Sequence, residues 1–580
     1  MQSASMELSA STQSRTATTQ AELDKYLAIL GENATPFARL APREKAALLR
    51  ACVPRLLAVS RDWVAAACKA KGLLMDTPAS SEEWLGGPYV TMRCLRKLIM
   101  SLEQIQTLGK PSLPSGAIRV AGDGRTEVLV MPGEAYDHAI SAGFTCRLRM
   151  EKGWDDRKVR EEQAIFYSKR DPQGGVSLIL GAGNVASIPP TDALYKLFHE
   201  GKLCIVKLNP VNEYLGPFYE QAFQPLIERG YLRFVYGGAE VGSYLSYHPQ
   251  IVDVHITGSD RTHDMIVWGP PGEERTRRQS AGDPLLKKNI TSELGCVTPV
   301  MIVPGNYSAG ELRMLAENIA TQVVNNGSFN CNAAKILVLS ESWPQRQELL
   351  KSLQEILQDM PTRRAYYPGA QDRFAKLTAG KTVTRLGRAG EGELPWTLIR
   401  DVNPKTPDEM LFSTEPFCSI ISEVALPEKD AAEFVTAAAR FANDRLWGTL
   451  SCSMYLAPST EKQPEVQAAL EQACDVLRYG VVGINHWPAV AYGAMTPPWG
   501  GHPSGTLLDI QSGIGFVHNT FMFEGIEKAI LRGPLTPSPK PPWFVTHKRS
   551  HEVAQRMLRF EAEPSWLKIP AIAFHALMGS

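Results

Sequence analysis

Between residues 22 and 108 apolar side chains recur every three to four positions, the spacing of amphipathic helices. Residues 44–59 and 64–70 carry it most clearly, and Pro42, Pro54 and Gly72 are expected to break it. Short strand-like runs follow at 117–120, 127–130 and 144–150. At Gly175 the pattern changes. Residues 176–180, 203–206, 232–236 and 252–256 are continuous apolar runs, as in strands buried on both faces, separated by helical stretches such as 192–199 and 213–229. A second alternation begins with 300–303, 312–324 and 335–339 and continues through 451–456 to 481–485. The pattern predicts an α/β protein with two open sheets whose binding loops lie at strand C-termini.

Composition narrows this only a little. The 580 residues, 44% hydrophobic and 21% charged, suit a soluble chain of two to four domains. Lys+Arg and Asp+Glu both total 61, so net charge gives no argument for nucleic acid or an anionic membrane as partner. Ten scattered cysteines, without a C-x-x-C or a Cys/His cluster of zinc spacing, point to a reducing compartment, most simply the cytoplasm, and to no metal. Residues 1–20 are Ser/Thr-rich and read as a disordered leader. No run reaches the 18 or so apolar residues of a membrane span. Residues 270–284 read as a surface excursion and the prolines after Gly533 as a stiff linker, followed by a basic helix-like piece and an apolar end at 566–578.

The chemistry concentrates in loops. Gly181-Ala182-Gly183-Asn184-Val185-Ala186 follows a strand and matches a dinucleotide fingerprint, yet the next strand ends in Lys207 where that fingerprint wants an acid. Lys207 can donate to ribose hydroxyls; as a lone residue it also reads as an exposed structural lysine. Gly238 and Gly242 frame a strand-to-helix loop whose N–H groups could face phosphate, and Gly258-Ser259 ends another strand where a flat ring could approach the backbone. Glu293 lies among small and apolar neighbours, which suits a general base of raised pKa. Cys331 sits in Asn325-Asn326-Gly327-Ser328-Phe329-Asn330-Cys331-Asn332-Ala333, a polar turn that could present a nucleophilic sulfur, whereas Cys296 reads as a packing residue.

In order, Asn184, Lys207, Gly238/Gly242, Gly258-Ser259, Glu293-Leu294-Gly295, Cys331, Glu415-Pro416-Phe417 and Pro498-Trp499-Gly500-Gly501 resemble the aldehyde dehydrogenase superfamily over roughly residues 130–520. The resemblance implies two Rossmann-like α/β domains, a helical N-terminal region and an oligomerisation β-arm. On that division residues 21–292 hold the N-terminal helices and the NAD(P) domain, with the arm near 144–153. Residues 293–500 hold the catalytic domain, and 501–580 return to the arm and add a C-terminal extension.

The resemblance also implies roles. Cys331 would be the nucleophile, Glu293 the base for the deacylating water, and Asn184 an oxyanion donor. Lys207 and Glu415 would hold the two riboses, with Phe417, Gly258 and Ser259 beside the nicotinamide. It implies an aldehyde substrate, NAD or NADP as cofactor, and a homodimer or homotetramer with residues 144–150 as an edge strand. A CoA-acylating enzyme or fatty acyl-CoA reductase on the same scaffold is the alternative. A non-catalytic scaffold and membrane attachment through 566–578 are further alternatives. Pro210 replaces an acid common in the family, so the 2′-phosphate of NADP meets no carboxylate there. Ile188, Phe329, Trp487 and Trp499 are the candidate substrate mouth.

Overall fold

The computed structural model describes residues 15–580. Residues 1–14 of the expected leader lie outside the described residues; residues 15–20 are held in place. Thr18 exchanges hydrogen bonds with Tyr236, and a Thr19/Glu22 capping box opens the helix Gln20–Ala38. The next helix, Pro42–Lys71, runs through Pro54, so that proline does not divide it. Gly72, with φ of 72°, stops it, because glycine enters the left-handed region freely. The stop leaves Lys71 at the helix end, buried.

Five parallel strands form the first sheet, in the order Leu232–Val235, Leu203–Lys207, Val176–Leu180, Ile251–Gly258, Asn289–Leu294. The order of the strands reverses at Val176–Leu180, the next two being added on one side of it and the last two on the other, and ligands of open α/β sheets bind beyond the strand C-termini at such a switch point. Asn184, Lys207, Gly258 and Glu293 lie at that end. Asn289–Leu294 crosses the expected boundary at 292/293, so Glu293 belongs to the first sheet, where it is paired in register with Thr257.

The second sheet has eleven strands. Its parallel centre runs Val481–Ile484, Ser451–Tyr455, Pro299–Ile302, Ile336–Ser340, Ile420–Leu426, Trp396–Val402, with Val383–Leu386 antiparallel at one edge. Beyond Val481–Ile484 the sheet continues through Ile526–Arg532, Thr145–Met150, Thr126–Met131 and Ile118–Val120. Thr145–Met150 is therefore an interior strand, not the expected edge: antiparallel partners flank it on both sides. The strands expected to form an arm extend this chain's own second sheet, through parallel pairing of Val481–Ile484 with Ile526–Arg532.

The stretch after Gly533 is packed rather than a free linker, with Leu535, Pro541, Pro542 and Phe544 buried. It leads into the helix Ser550–Ala562, which lies against residues 81–108. Buried Glu561 accepts from Arg93 Nη1 at 2.6 Å and from Arg96, while Arg93 Nη2 donates to Asp137 at 2.7 Å. Removing one member of such a buried network costs about 3–5 kcal/mol, so this contact fixes the extension to the body. The expected surface excursion holds the helix Glu273–Ala281, none of whose residues is buried. Among the described residues no helix is long and apolar enough to cross a membrane.

Candidate active site

A cavity of about 850 Å³ opens over the strand C-termini of the first sheet. Asn184, Lys207, Gly238, Gly242, Gly258, Ser259, Glu293, Cys331, Glu415 and Phe417 all line it, so every candidate site residue converges on one space. Local geometry explains several of the residue types. A Cβ on Gly183 would meet Asn209 and Val211 at 2.8–2.9 Å, whereas one on Gly258 would meet only Ile256, at 3.7 Å, leaving the strand end open to a flat group. Ser259 caps the helix Asp260–Trp268. Gly295 has a sharper reason: a Cβ there would sit 2.3 Å from Glu415 Oε2, because that carboxylate packs on the backbone and accepts from Cys296 N–H at 3.2 Å. Burial raises the Glu415 carboxyl to about 7, opposed by the nearby Lys335 ammonium. The Gly238 N–H, expected to face phosphate, donates to the Glu240 carboxylate at 2.9 Å. Phe417 holds a strained φ of 43° and packs edge-on to Tyr367 and Phe329. Phe329 is buried in that ring cluster and lines neither cavity at Cys331, which takes it out of the substrate mouth.

The cysteine loop is shaped by its amides. Asn326, Gly327 and Ser328 have φ of 53°, 63° and 68°, a left-handed run that Asn and Gly tolerate best and that strains Ser328. Lys335 Nζ donates to Ser328 O at 3.0 Å and Thr298 Oγ1 to Cys331 O at 3.2 Å, pinning both sides of the turn. Of the ten cysteines Cys331 alone is not fully buried. Asn184 Nδ2 donates one hydrogen to Phe329 O at 2.9 Å, which leaves its second N–H for an oxygen developing near the sulfur.

Glu293 lies beside Cys331, close enough for each group to act on the other's proton affinity. Burial first, then the charge of Asp192, pushes its carboxyl up to about 8; the thiol hydrogen bond pulls the other way. Burial, then the Glu293 charge, pushes the Cys331 thiol well above its ordinary value. The pair thus holds a proton at rest, and the two groups titrate together. The Trp499 indole N–H beside Glu293 is buried without a hydrogen-bond partner, and it favours the ionised carboxylate.

A second cavity, about 170 Å³, also touches Cys331. Asn184, Ile188 and Cys331 line both cavities, so the sulfur stands where they meet. Trp487 and Trp499 line the smaller one, as expected for the mouth.

Sequence reading assigned nothing to the group behind this junction. Lys71 Nζ donates to Glu83 at 2.7 Å, to Asn326 Oδ1 at 2.9 Å and to the backbone oxygen of Asn184 at 3.1 Å. That oxygen also accepts from Asn326 Nδ2 at 3.1 Å and Tyr366 OH at 3.3 Å. Lys71 therefore ties the Asn184 loop to the cysteine loop from outside both. The double variant Lys71→Met/Glu83→Gln, which leaves no buried charge unpaired, is expected to lower kcat about 100-fold, since displacement of a positioned group by an ångström has that effect, with KM little changed. Steady-state kinetics together with a thermal melt check this; an unchanged kcat in a folded variant refutes the tie.

No protein-family model matches the sequence. 4-Trimethylaminobutyraldehyde dehydrogenase A of Danio rerio is 27% identical over 203 residues, covering 33% of this chain and 34% of that protein. The chain thus aligns with about a third of the length of the curated relatives it matches. Solved structures agree over far more of it. An NAD-dependent aldehyde dehydrogenase from Sinorhizobium meliloti superposes with a TM-score of 0.57, 17% identity, and coverage of 90% of this chain and 89% of that one. An NADP-dependent enzyme from E. coli gives 0.58, 17%, 89% and 90%. The chain has the aldehyde dehydrogenase fold.

Proposed function

We propose that the protein oxidises an aldehyde to a carboxylic acid with NAD(P)+ through a cysteine-bound acyl group. The observation that carries this reading is the place of Cys331 at the junction of a large nucleotide-sized cavity and a small apolar one, with Glu293 against its thiol.

The large cavity suits a dinucleotide: Lys207 and Glu415 offer a donor and an acceptor for ribose hydroxyls, and Gly258 leaves room for a ring. A bound nicotinamide would supply a hydride acceptor. The chain's own residues account for the remaining steps. Ionised Glu293 takes the thiol proton as Cys331 Sγ bonds to the aldehyde carbon. The resulting oxyanion accepts from the free Asn184 N–H and the Cys331 backbone N–H; one such preorganised donor contributes about 3–4 kcal/mol. Loss of hydride from that carbon leaves a thioester. Glu293 gives the thiol proton up to solvent and, ionised again, takes a proton from water as the water oxygen attacks; the thiolate leaves with the carboxylic acid released.

The carboxylate of Glu240 lies near Lys207 and lowers the appeal of that corner for a 2′-phosphate, so NAD+ is expected to outperform NADP+. An aldehyde panel run with NAD+, NADP+ and CoA, followed by reduced-cofactor absorbance, tests the reading. Turnover without CoA supports it. Absence of turnover with every aldehyde overturns it, and turnover that requires CoA assigns the chain to acyl-CoA chemistry instead.

A further inference from the structure

The smaller cavity is built partly by the C-terminal extension. Trp543 and Met557, both beyond the last strand of the arm, line it together with Val90, Met131, Ile140 and Val490. Met557 is buried, and its helix is clamped by Glu561 to Arg93, itself a lining residue. Trp543 is seated edge-on against Phe144 and His486, which holds its ring at the wall.

Ionisable groups line the same cavity, and their partners are already present. Lys71 spends all three donors on Glu83, Asn326 and the Asn184 carbonyl. Glu82 accepts from Asn326 N at 2.9 Å and from Arg363 Nη2 at 3.1 Å. Arg93 is satisfied by Asp137, Glu561 and the Ala494 carbonyl. Each charge is balanced inside the wall, and a charged substrate entering here would shed its water without gaining a counter-ion. The cavity is also smaller than the roughly 300–1,000 Å³ of common small-molecule pockets, which limits the length of what it holds.

We infer that residues 534–580 form part of the aldehyde side-chain subsite, that this subsite takes an uncharged apolar chain, and that Met557 and Trp543 set its length. The inference rests on the proposed function for its substrate.

The test is kcat/KM for a series of straight-chain aldehydes, each compared with counterparts ending in a carboxylate or a trimethylammonium group. In the wild type, efficiency should rise about fourfold per added methylene up to a cut-off. The charged counterparts should be poorer by about 100-fold or more. Met557→Ala should move the cut-off to longer chains and Met557→Phe to shorter ones. A charged aldehyde equal to its uncharged isostere, or an unmoved cut-off in both folded variants, overturns the inference. Should either variant fail to fold, the wild-type charge comparison and Trp543→Phe, with its smaller ring, still decide. Protection of Cys331 from alkylation by the matching aliphatic and charged amides needs no turnover. A ranking there that favours apolar amides keeps the subsite even if no aldehyde is oxidised, and a flat ranking removes it.

Discussion

Cys331→Ala is expected to abolish hydride transfer, with turnover falling by roughly 10⁴-fold or more, the scale seen when a covalent nucleophile is removed. The argument does not rest on thiol acidity. Burial above all, joined by the Glu293 charge once that carboxyl ionises, holds the Cys331 proton on, so the resting sulfur is not a thiolate. Reactivity comes instead from an adjacent acceptor for that proton and from access, as in other base-assisted nucleophiles. Both are specific to this position. The remaining nine cysteines are buried, and Cys296, the nearest in sequence to the base, is packed against Gly448. Cys296→Ala is therefore the control and should retain turnover within a few-fold. Mass spectrometry after mixing with aldehyde and cofactor should find an acyl adduct on the wild type and on Cys296→Ala, and none on Cys331→Ala. An adduct elsewhere, or undiminished turnover in Cys331→Ala, refutes the assignment. A melt separates this from misfolding, because removing one partly exposed sulfur changes stability little.

The elements that were legible in the sequence are those whose signal is local. The strand Val176–Leu180 shows as an unbroken apolar run because both faces of a parallel sheet are covered. The turn before Cys331 shows because the Asn-Gly pair at 326–327 is the natural spelling of a left-handed turn. What stayed hidden depends on partners far along the chain. Lys71 follows helix-forming residues and precedes a glycine, which reads as a cation stabilising a helix C-terminus; only the fold brings Asn184 and Asn326 to it. Glu82 and Glu83 likewise read as first-turn acids of a short helix, although both are turned inward, toward Arg363 and Lys71. Pro54 was expected to break its helix, yet packing of the long Pro42–Lys71 helix on Val90–Leu108 overrides it. The position of residues 145–150 was misread for a topological reason: which strand closes the sheet depends on Ile526–Arg532 returning from far downstream. The extension carried the weakest signal, since prolines that suggest a linker in sequence are here laid against the body.

Glu293→Gln should slow the first hydride transfer, because the thiol proton must then pass to solvent, and should slow the release of product more, by roughly 10²–10⁴-fold, the range for loss of a general base. Stopped-flow mixing should show a burst of reduced cofactor followed by a slow steady state, in place of uniform turnover. The pH dependence follows from the same carboxyl. Its value is pushed up to about 8 by burial, so at pH 7 most resting molecules carry it protonated and the base is scarce. Turnover of the wild type should therefore climb as pH rises through about 8 and level off above it, and the Gln variant should lack that limb. Stability moves in the opposite sense. A carboxyl whose folded value lies above its unfolded one favours the folded state only while protonated. The resulting cost is absent below the ordinary carboxylate range, grows as pH rises toward 8, and is complete above it. Glutamine cannot ionise, so at pH 9 the variant should melt at or above the wild-type temperature even though its turnover has collapsed. A variant that turns over at the wild-type rate, or one that loses activity only by melting earlier, would remove Glu293 from the role of base.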